Sequence, residues 1–446
     1  MSKADNSPAH DPQFRTHAGL ADHGPVTSLQ PETTQEPNPE RSKAAKVMTE
    51  AAGLLRGPLR VFPLLLKLGS DKLRLSFQAR HLYAYASTLV PTETALRSTI
   101  GWIHAARRPD GGIAAYYSLL TGYSESYPEV TGYIVPTLYD FARFATDQSS
   151  RAIAEQATRW LVSLQMPSGA FPGGLHGDNA RPSVFNTGQI LFGLVRGFAE
   201  TGDANLLNHA AAAGDWLDKV QGQDGAWAGV NAYRGSPHTY YSMVSWALAQ
   251  LARGAKDDRY SRTAERNLDW ILAHFQPSGW IDGINLREHP TYLHFIAYAI
   301  QGVLECGVLL QRDDAVRAAS RSAWVLLRKF ESHKHLLGAY EPDFSRGLRF
   351  TCLTGNAQMS CVWLRLFDVT KDLRYLNAGL KMNELVKRLL PRHGRRGVMG
   401  GVAGSFPAWG AYQPLRYISW GCKFLADALM LEERLVHEFE AASCGS

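Results

Sequence analysis

The 446-residue chain lacks the short motifs by which several large enzyme classes are identified. It has no HExxH, no Walker loop and no GxGxxG, so we expect neither a metal site nor a nucleotide cofactor. Like charges never run to five in succession, so the net charge of +6 does not indicate a nucleic-acid partner. That charge remains compatible with a basic cleft for an anionic substrate.

Cysteine and long apolar runs are also scarce. The five cysteines are odd in number and form no CxxC pair, which predicts free thiols in a reducing compartment rather than disulfides or a zinc site. No apolar stretch reaches the roughly 18 residues that a membrane span needs. The first 45 residues contain no apolar signal-peptide core. We therefore expect a cytoplasmic protein without a transmembrane span, and peripheral contact with the inner face of the membrane stays open.

Two segments precede the regular part of the chain. Residues 1–45 are rich in Pro, Asp, Glu, Ser and Thr and poor in large apolar side chains, which predicts a disordered tail. Residues 46–94 are predicted to form N-terminal helices. Their apolar stretch at residues 59–68 is interrupted by the basic residues Arg60 and Lys67. It indicates either a helix that covers one end of the core or a helix on a membrane surface.

Between residues 95 and 432 one short pattern recurs six times, at intervals of 52 to 65 residues. Each copy opens an apolar helical stretch, such as residues 190–198. Between these stretches comes a second, amphipathic helix, which in several repeats ends in a Pro-Ser-Gly or Asp-Gly turn. The six openings are Thr131-Gly132-Tyr133, Thr187-Gly188-Gln189, Tyr241-Ser242-Met243, Leu293-His294-Phe295, Thr354-Gly355-Asn356 and Ser419-Trp420-Gly421.

Units of this length with two helices each predict a helical repeat architecture. It could be an open solenoid or a closed ring. We favour the ring, because apolar inner helices require burial on every side. The predicted fold class is therefore all-α: an (α/α)6 toroid of six helix-pair repeats within residues 46–440, preceded by the disordered tail.

In such a ring the N-termini of the inner helices gather at one end, where polar and aromatic loop residues would surround a cleft. Glu129 stands at the start of an inner helix and is either a general acid or base or a cap of that helix. Asp282 and Glu288 could pair with it across the mouth, as two carboxylates do in glycoside hydrolysis. These three carboxylates are the first catalytic candidates.

His294 and Tyr240 complete the candidate catalytic set. His294 lies where most of the other repeats carry Gly or Ser, and it is either a hydrogen-bonded core residue or a proton carrier. Tyr240, with His238 and Tyr241 nearby, could abstract the proton next to a uronate carboxylate. The alternative is that these rings pack against the inner helices.

Further residues at the same end of the ring are predicted to bind the substrate. The arginines among them could hold carboxylates through paired hydrogen bonds, or could form a solvated basic loop. The others offer amides, imidazoles and aromatic faces. The predicted binding set is Tyr133, Gln189, His238, Tyr241, Arg346, Arg349, Asn356, Gln358, Trp409 and Tyr412.

Three segments resemble a family of α/α-toroid proteins: residues 126–137 (SYPEVTGYIVPT), 352–359 (CLTGNAQM) and 401–410 (GVAGSFPAWG). Members of that family are found near bacterial exopolysaccharide and lipopolysaccharide biosynthesis genes, so the resemblance implies a glycan context. It carries over no catalytic residue. The Gly turns between helices also resemble the repeats of terpene cyclases and prenyltransferases, at the level of the fold only. The Asp-rich DxDD motif of protonating cyclases is absent.

Three hypotheses of function follow. The first is a polysaccharide-active enzyme, either a hydrolase, a lyase or a uronate epimerase, that acts on an acidic bacterial glycan with loop carboxylates, His and Tyr as general acids and bases. The second is a non-catalytic glycan-binding or assembly protein with the same cleft. The third is a relative of the terpenoid cyclases, which would need an apolar pocket inside the ring.

Overall fold

The computed structural model describes residues 90–178, 181–284 and 290–444. The predicted tail at residues 1–45, the apolar stretch at 59–68 and most of the predicted N-terminal helical region lie outside the described residues. The described part is built from paired helices joined by short turns and small hairpins, in agreement with the predicted all-α class.

Six helices form an inner ring. Each packs against the next along the chain, and the last packs against the first, so the ring is closed. This arrangement confirms the toroid over the open solenoid. The inner helices are α2 (Pro128–Ala145), α4 (Val184–Thr201), α6 (Ser242–Ala255), α8 (Leu293–Leu309), α10 (Leu353–Thr370) and α12 (Ser419–Cys444).

Six outer helices surround this ring. Each of the five that follow an inner helix packs on that helix, while the first outer helix packs on the last inner one and so completes the sixth pair. Among the helices of the described part, none combines the length and the apolar character that a membrane crossing requires. The outer helices are α1 (Thr92–Ala105), α3 (Gln148–Ser163), α5 (Ala204–Lys219), α7 (Asp258–Leu272), α9 (Asp313–His333) and α11 (Leu373–Arg388).

Aspartates start four of the outer helices. Each carboxylate accepts a hydrogen bond from a backbone N–H of the first turn, which satisfies a group that the helix itself leaves unpaired. The distances are close to 2.9 Å, as for Asp147 and the amide of Ser150. The other three caps are Asp203, Asp257 and Asp372.

The glycine and the threonine at the start of the inner helices have different structural roles: the glycine permits close helix packing, and the threonine binds the preceding turn. A Cβ on Gly132 would lie 2.4 Å from Cα of Ile190, so only glycine lets α2 and α4 approach this closely. The Thr131 hydroxyl accepts a hydrogen bond from the amide of Ile113 at 3.0 Å, and Thr187 binds the amide of Phe171 in the same way at 2.9 Å. The pattern therefore fixes the inner helices to each other and to the turns before them.

Short strands lie at the end of the ring where the inner helices begin. Strands β1 (Tyr116–Ser118), β2 (Gly122–Tyr123) and β8 (Arg416–Ile418) form one sheet in the order β2-β1-β8. A second sheet has the order β3 (Thr291–Tyr292), β4 (Ala339–Tyr340), β5 (Gly347–Leu348). The third pairs β6 (Thr351–Cys352) with β7 (Ser405–Phe406). All pairings are antiparallel, and β1 with β8 joins the first repeat to the last.

Candidate active site at the axis of the ring

Two tyrosines meet at the axis of the ring. Tyr133 comes from α2 and Tyr298 from α8, two helices that lie opposite each other among the six, and their hydroxyls interact. Phe424 of α12 packs against both rings, with centroids 6.2 Å from Tyr133 and 5.7 Å from Tyr298. We call these three residues the aromatic floor, because they fill the axis at this depth.

Glu129 and His294 lie above the aromatic floor. Each stands four residues before a floor tyrosine, Glu129 before Tyr133 and His294 before Tyr298. Residues four apart share a helix face, and the earlier one lies one turn nearer the helix N-terminus. Glu129 and His294 therefore face each other across the axis, on the side of the floor where the inner helices begin.

The carboxyl group of Glu129 is surrounded by protein but keeps part of its surface accessible, as expected at the bottom of a cleft. Its Oε2 accepts a hydrogen bond from the hydroxyl of Tyr127 at 2.5 Å. Burial raises the pKa of Glu129 to about 7, and the Tyr127 bond only partly opposes this shift. The carboxyl group of Glu129 is bonded to Tyr127 and not to a backbone amide of α2, so the structure gives no support to the alternative that Glu129 caps this helix.

His294 is held through one ring nitrogen. Its Nδ1 lies 2.9 Å from Oε1 of Gln358, and Nε2 of Gln358 donates to Oε1 of Gln301 at 2.8 Å. Because the amide oxygen of Gln358 can only accept, the hydrogen of the neutral imidazole sits on Nδ1 and leaves Nε2 with a free lone pair. Burial lowers the pKa of His294 to about 3, against a smaller opposite effect of Gln358. The imidazole is therefore neutral at physiological pH.

Tyr240 and its neighbours form one wall of the cleft. The ring of Tyr240 stacks on His238 at 4.9 Å and meets Phe185 edge-on at 5.0 Å. Burial, together with the charges of Tyr241 and Glu129, raises the pKa of Tyr240 well above its usual value. Tyr241 accepts a hydrogen bond from the amide of Tyr233 at 2.9 Å. These contacts bring Tyr240, Tyr241 and His238 together as predicted, in a densely packed aromatic group.

Tyr412 approaches His294 from the loop before α12. Its hydroxyl accepts a hydrogen bond from Nε1 of Trp420 at 2.9 Å, and its ring lies 5.8 Å from that of His294. Burial, followed by the charge of Cys352, raises the pKa of Tyr412 well above the usual value, and Glu129 contributes as well. Tyr412 therefore belongs to the same electrostatic environment as Glu129.

Gln189 faces the axis from α4. It stands four residues after Phe185, whose ring reaches across to Tyr298 at 5.6 Å, so both share one helix face. Both polar atoms of its buried amide lack a hydrogen-bond partner. Unpaired buried amides are costly, which marks Gln189 as a group that a polar ligand or a water could satisfy.

We call Glu129, His294, Gln358 and the aromatic floor the axial group. Several predicted residues lie apart from it. Asp282 is exposed, and its carboxylate bonds to Gln276 rather than to Glu129. Arg346, Arg349 and Trp409 are exposed on loops near the mouth. Asn356 differs from these exposed residues, because it is buried and both polar atoms of its amide lack a hydrogen-bond partner, as in Gln189. Glu288 lies outside the described residues. Within the described ranges no three His, Cys, Asp or Glu side chains gather as a metal site.

Three residues of the site were not singled out by the sequence. Tyr127 holds the Glu129 carboxyl, Tyr298 completes the aromatic floor, and Gln301 orients Gln358. The sequence does contain a signal for Tyr298 and Gln301. They stand four and seven residues after His294, which is the spacing of one helix face. Nothing in the sequence distinguishes Tyr127 from the other tyrosines of its loop.

The fold has counterparts among solved structures. An unsaturated glucuronyl hydrolase specific for heparin aligns with a TM-score of 0.64 at 12% identity, over 78% of this chain and 98% of its own. Cellobiose 2-epimerase from Bacillus thermoamylovorans B4167 aligns with a TM-score of 0.62 at 13% identity, over 77% of this chain and 97% of its own. A D-mannose isomerase aligns with a TM-score of 0.62 at 12% identity, over 77% of this chain and 97% of its own. At such low identity these likenesses define the class of fold, the α/α toroid. No family model and no curated protein sequence matches the chain.

Proposed function

We propose that the protein is a carbohydrate-active enzyme that moves a proton on a sugar unit bound at the axis of the ring. The observation that carries this proposal is Glu129, a carboxyl group with a pKa near 7 that faces the neutral imidazole of His294 above a closed aromatic floor. A general acid or base works best when its pKa is close to the working pH. Glu129 meets that condition.

The two groups have different roles in this proposal. Glu129 gives up or accepts the proton that moves on carbon. His294 presents the lone pair of Nε2 and accepts a hydrogen bond from a neighbouring sugar hydroxyl, which orients the sugar. Tyr240 and Tyr412 keep their protons, because burial raises the pKa of both phenols. The Tyr240 hydroxyl is already hydrogen-bonded to Tyr241, whereas the Tyr412 hydroxyl accepts from Trp420 and can donate its own proton to the sugar.

Glycoside hydrolysis fits the axial group less well. That reaction normally uses two carboxyl groups on either side of the scissile bond. Among the described residues, the predicted partner Asp282 is exposed and bonded to Gln276, and no second carboxyl group contacts the axial group. One carboxyl opposite an imidazole favours epimerisation, isomerisation or elimination over hydrolysis.

In the proposed reaction one proton moves between carbon and Glu129. The Glu129 carboxylate takes the proton from a carbon next to a carbonyl or carboxylate, and the C–H electron pair forms the carbon–carbon double bond of an enol or enolate. Epimerisation follows when the enolate turns and Glu129 returns the proton to the other face of the same carbon, because the only ring hydrogen of His294 is held by Gln358. Isomerisation follows when Glu129 returns the proton to the former carbonyl carbon while the hydroxyl proton of the enediol moves from one oxygen to the other. In elimination Glu129 passes the proton to the β-oxygen as its bond to carbon breaks, so an alcohol leaves and an unsaturated sugar remains.

The sugar substrate is supported by the structural neighbours, whose names describe a glucuronyl hydrolase, a cellobiose epimerase and a mannose isomerase. The motif resemblance supports a bacterial glycan, and the surplus of basic residues supports an acidic one. We propose that the protein acts in the cytoplasm on a glycan of polysaccharide biosynthesis. Contact with the membrane surface is compatible with this role.

The test is to incubate the purified protein with acidic and neutral oligosaccharides in deuterium oxide. Deuterium on carbon without cleavage indicates an epimerase or isomerase, and ultraviolet absorbance of an unsaturated uronate indicates a lyase. New reducing ends alone would mean hydrolysis and would contradict the assigned chemistry. Glu129→Gln should lower turnover by about 10²- to 10⁴-fold, while the matched exposed variant Glu125→Gln should not.

Two other functions would follow from other outcomes of this test. Binding without deuterium uptake, absorbance or cleavage would replace the enzyme by a glycan-binding or assembly protein. Binding of an isoprenoid instead of a sugar would point to the terpenoid reading. The described residues offer less for that reading, because polar and titratable groups line the axis above the aromatic floor.

A further inference from the structure

A tight loop between β7 and β8 joins the axial group to the surface. The Ser405 hydroxyl donates to the carbonyl of Tyr412 at 2.6 Å and accepts from the amide of Tyr412 at 3.1 Å, so it closes the loop at its base. The amide of Gly410 donates to the carbonyl of Pro407 at 2.8 Å. These bonds hold Trp409 at the tip, where 66% of its surface is exposed.

The loop has one end in the cleft and the other in solvent. Tyr412 contacts His294, whereas Trp409, only three residues away, is exposed. Three residues of backbone span at most about 11 Å. Tyr292 supports the loop from below, because its hydroxyl donates to the carbonyl of Ala411 at 3.2 Å and its ring lies 5.2 Å from Tyr412. A chain of sugars longer than one unit could therefore touch both ends.

Arg349 lies beside this loop, and Arg346 stands at the other end of the short strand β5. A Cβ on Gly410 would lie 3.1 Å from Cβ of Phe350, so the loop packs against the residue that follows Arg349. Strand β7 also pairs with β6, directly after Phe350. Arg346 and Arg349 are both exposed here, and no described residue forms an ion pair with either.

The two carboxylates of the same hairpin do not pair with these arginines, so both guanidinium groups can bind an anion. The same hairpin carries Glu341 and Asp343, but Asp343 accepts a hydrogen bond from Ser278 on a neighbouring loop at 2.6 Å. Glu341 donates its backbone amide to the carbonyl of Arg346, at 2.7 Å. Neither carboxylate forms a salt bridge with the arginines in the part of the chain that the structure describes.

We infer that Trp409, Arg346 and Arg349 form an outer subsite for an anionic unit of an oligosaccharide whose adjoining unit enters the axial cleft. This inference rests on the proposed function, and it names the substrate class. A tryptophan face packs against the apolar face of a sugar ring, and a guanidinium binds a carboxylate through two parallel hydrogen bonds. The aromatic floor closes the ring below, so the rest of the glycan has to leave through the mouth.

The experiment is a binding titration by calorimetry with hexamers of galacturonate and of glucuronate-containing glycan, and with a neutral glucose hexamer. Glu129→Gln protein is used so that no turnover interferes. Trp409→Ala and Arg349→Gln should each weaken binding of an acidic hexamer by about tenfold. Added salt should weaken binding to the parent protein more than binding to the Arg349→Gln variant.

Matched controls test whether the effect is local. Val230→Ala removes another exposed apolar side chain, 87% accessible, from a different loop, and Arg317→Gln removes an exposed positive charge from the outer helix α9. Both should bind the acidic hexamers like the parent. Thermal melting of every variant should match the parent, because the replaced side chains are exposed.

Three results would overturn the inference: equal binding of the acidic and neutral hexamers, no binding of either acidic hexamer, or unchanged affinity in the Trp409 and Arg349 variants. A change in self-association with unchanged glycan binding would assign Trp409 to a protein contact instead. The proposed function fails separately, if the Glu129→Gln protein binds the acidic hexamers through these residues but the protein with Glu129 intact never transfers a proton to or from carbon.

Discussion

The Nδ1 atom of His294 and the Oε1 atom of Gln358 lie 2.9 Å apart inside the ring, on two neighbouring inner helices. The second hydrogen bond of Gln358, to Gln301, fixes which end of its amide faces the imidazole. A buried pair of amides thus selects the tautomer of the histidine and aims its Nε2 lone pair into the cleft.

The first prediction concerns this tautomer. In protein labelled with ¹⁵N on histidine, the ring of His294 should carry its hydrogen on Nδ1 and stay neutral from about pH 5 to 8, because burial lowers its pKa to about 3. Gln358→Glu should keep the same tautomer and raise the pKa of His294, since a carboxylate attracts the charged form.

Gln358→Met removes the acceptor and is the matched control for that experiment. In this variant we expect the tautomers to mix, because neither ring nitrogen then has a preferred partner. A ring hydrogen on Nε2 in the parent protein, or titration of His294 near pH 6.5, would contradict the assignment of Nε2 as an acceptor.

The second prediction concerns stability and pH. The pKa of Glu129 is raised from 4.5 to about 7 by burial, so folding favours its protonated form. The resulting stability is fully present below pH 4.5 and is lost as the pH rises through 7. Glu129→Gln removes this loss and should raise the free energy of unfolding at pH 8 by about 1–3 kcal/mol, since one pKa unit corresponds to about 1.4 kcal/mol. At pH 5 the gain should be small.

Urea denaturation at the two pH values measures this difference, with Glu125→Gln in the loop just before α2 as the control. Glu125 is exposed, so its replacement should leave the stability difference between the two pH values unchanged. If Glu129→Gln destabilises the protein equally at both pH values, then the carboxyl group is structural and its ionised form is not penalised by burial.

A third prediction tests the close contact within the ring. Gly132→Ala places a methyl group 2.4 Å from the backbone of Ile190, so two inner helices must separate. We expect the free energy of unfolding to fall by about 3 kcal/mol or more. Gly101→Ala is the matched control, because Gly101 lies on the exposed face of α1 with no atom within 4 Å. That change should stabilise the protein by about 0.5–1 kcal/mol. Equal melting temperatures of the two variants would contradict the packing described.

The ring could be predicted from the sequence because the signal repeats. Six copies of one opening, each before an apolar stretch, leave few other ways to bury those helices. The site was only partly predictable, for a physical reason. Glu129 and His294 are 165 residues apart and face each other only because α2 and α8 lie on opposite sides of the closed ring.

Residues on the loops were harder to place than residues on helices. The sequence predicts both Asp282 and Glu129 as carboxylates at one end of the ring, yet Glu129 lies next to the aromatic floor, whereas Asp282 is exposed and bonded to Gln276. Sequence spacing gives the face of a residue on a helix, but a loop residue follows turns and hydrogen bonds that no period describes. For the same reason Trp409 was predicted as a binding residue without any indication of its separation from the axis.

The fourth prediction concerns the aromatic floor. Tyr133→Phe and Tyr298→Phe each leave the other hydroxyl buried without its partner, so each should lower the free energy of unfolding by about 1–3 kcal/mol. The double variant should lose less than the sum of the two single losses, because both hydroxyls are removed together. The coupling free energy between the two residues should be about 0.5–1.5 kcal/mol. As the control, Tyr133→Phe combined with Tyr375→Phe on the outer helix α11 should be additive. Additive costs in the first cycle would mean that the two hydroxyls do not meet at the axis, and the cleft would then extend deeper than Glu129 and His294.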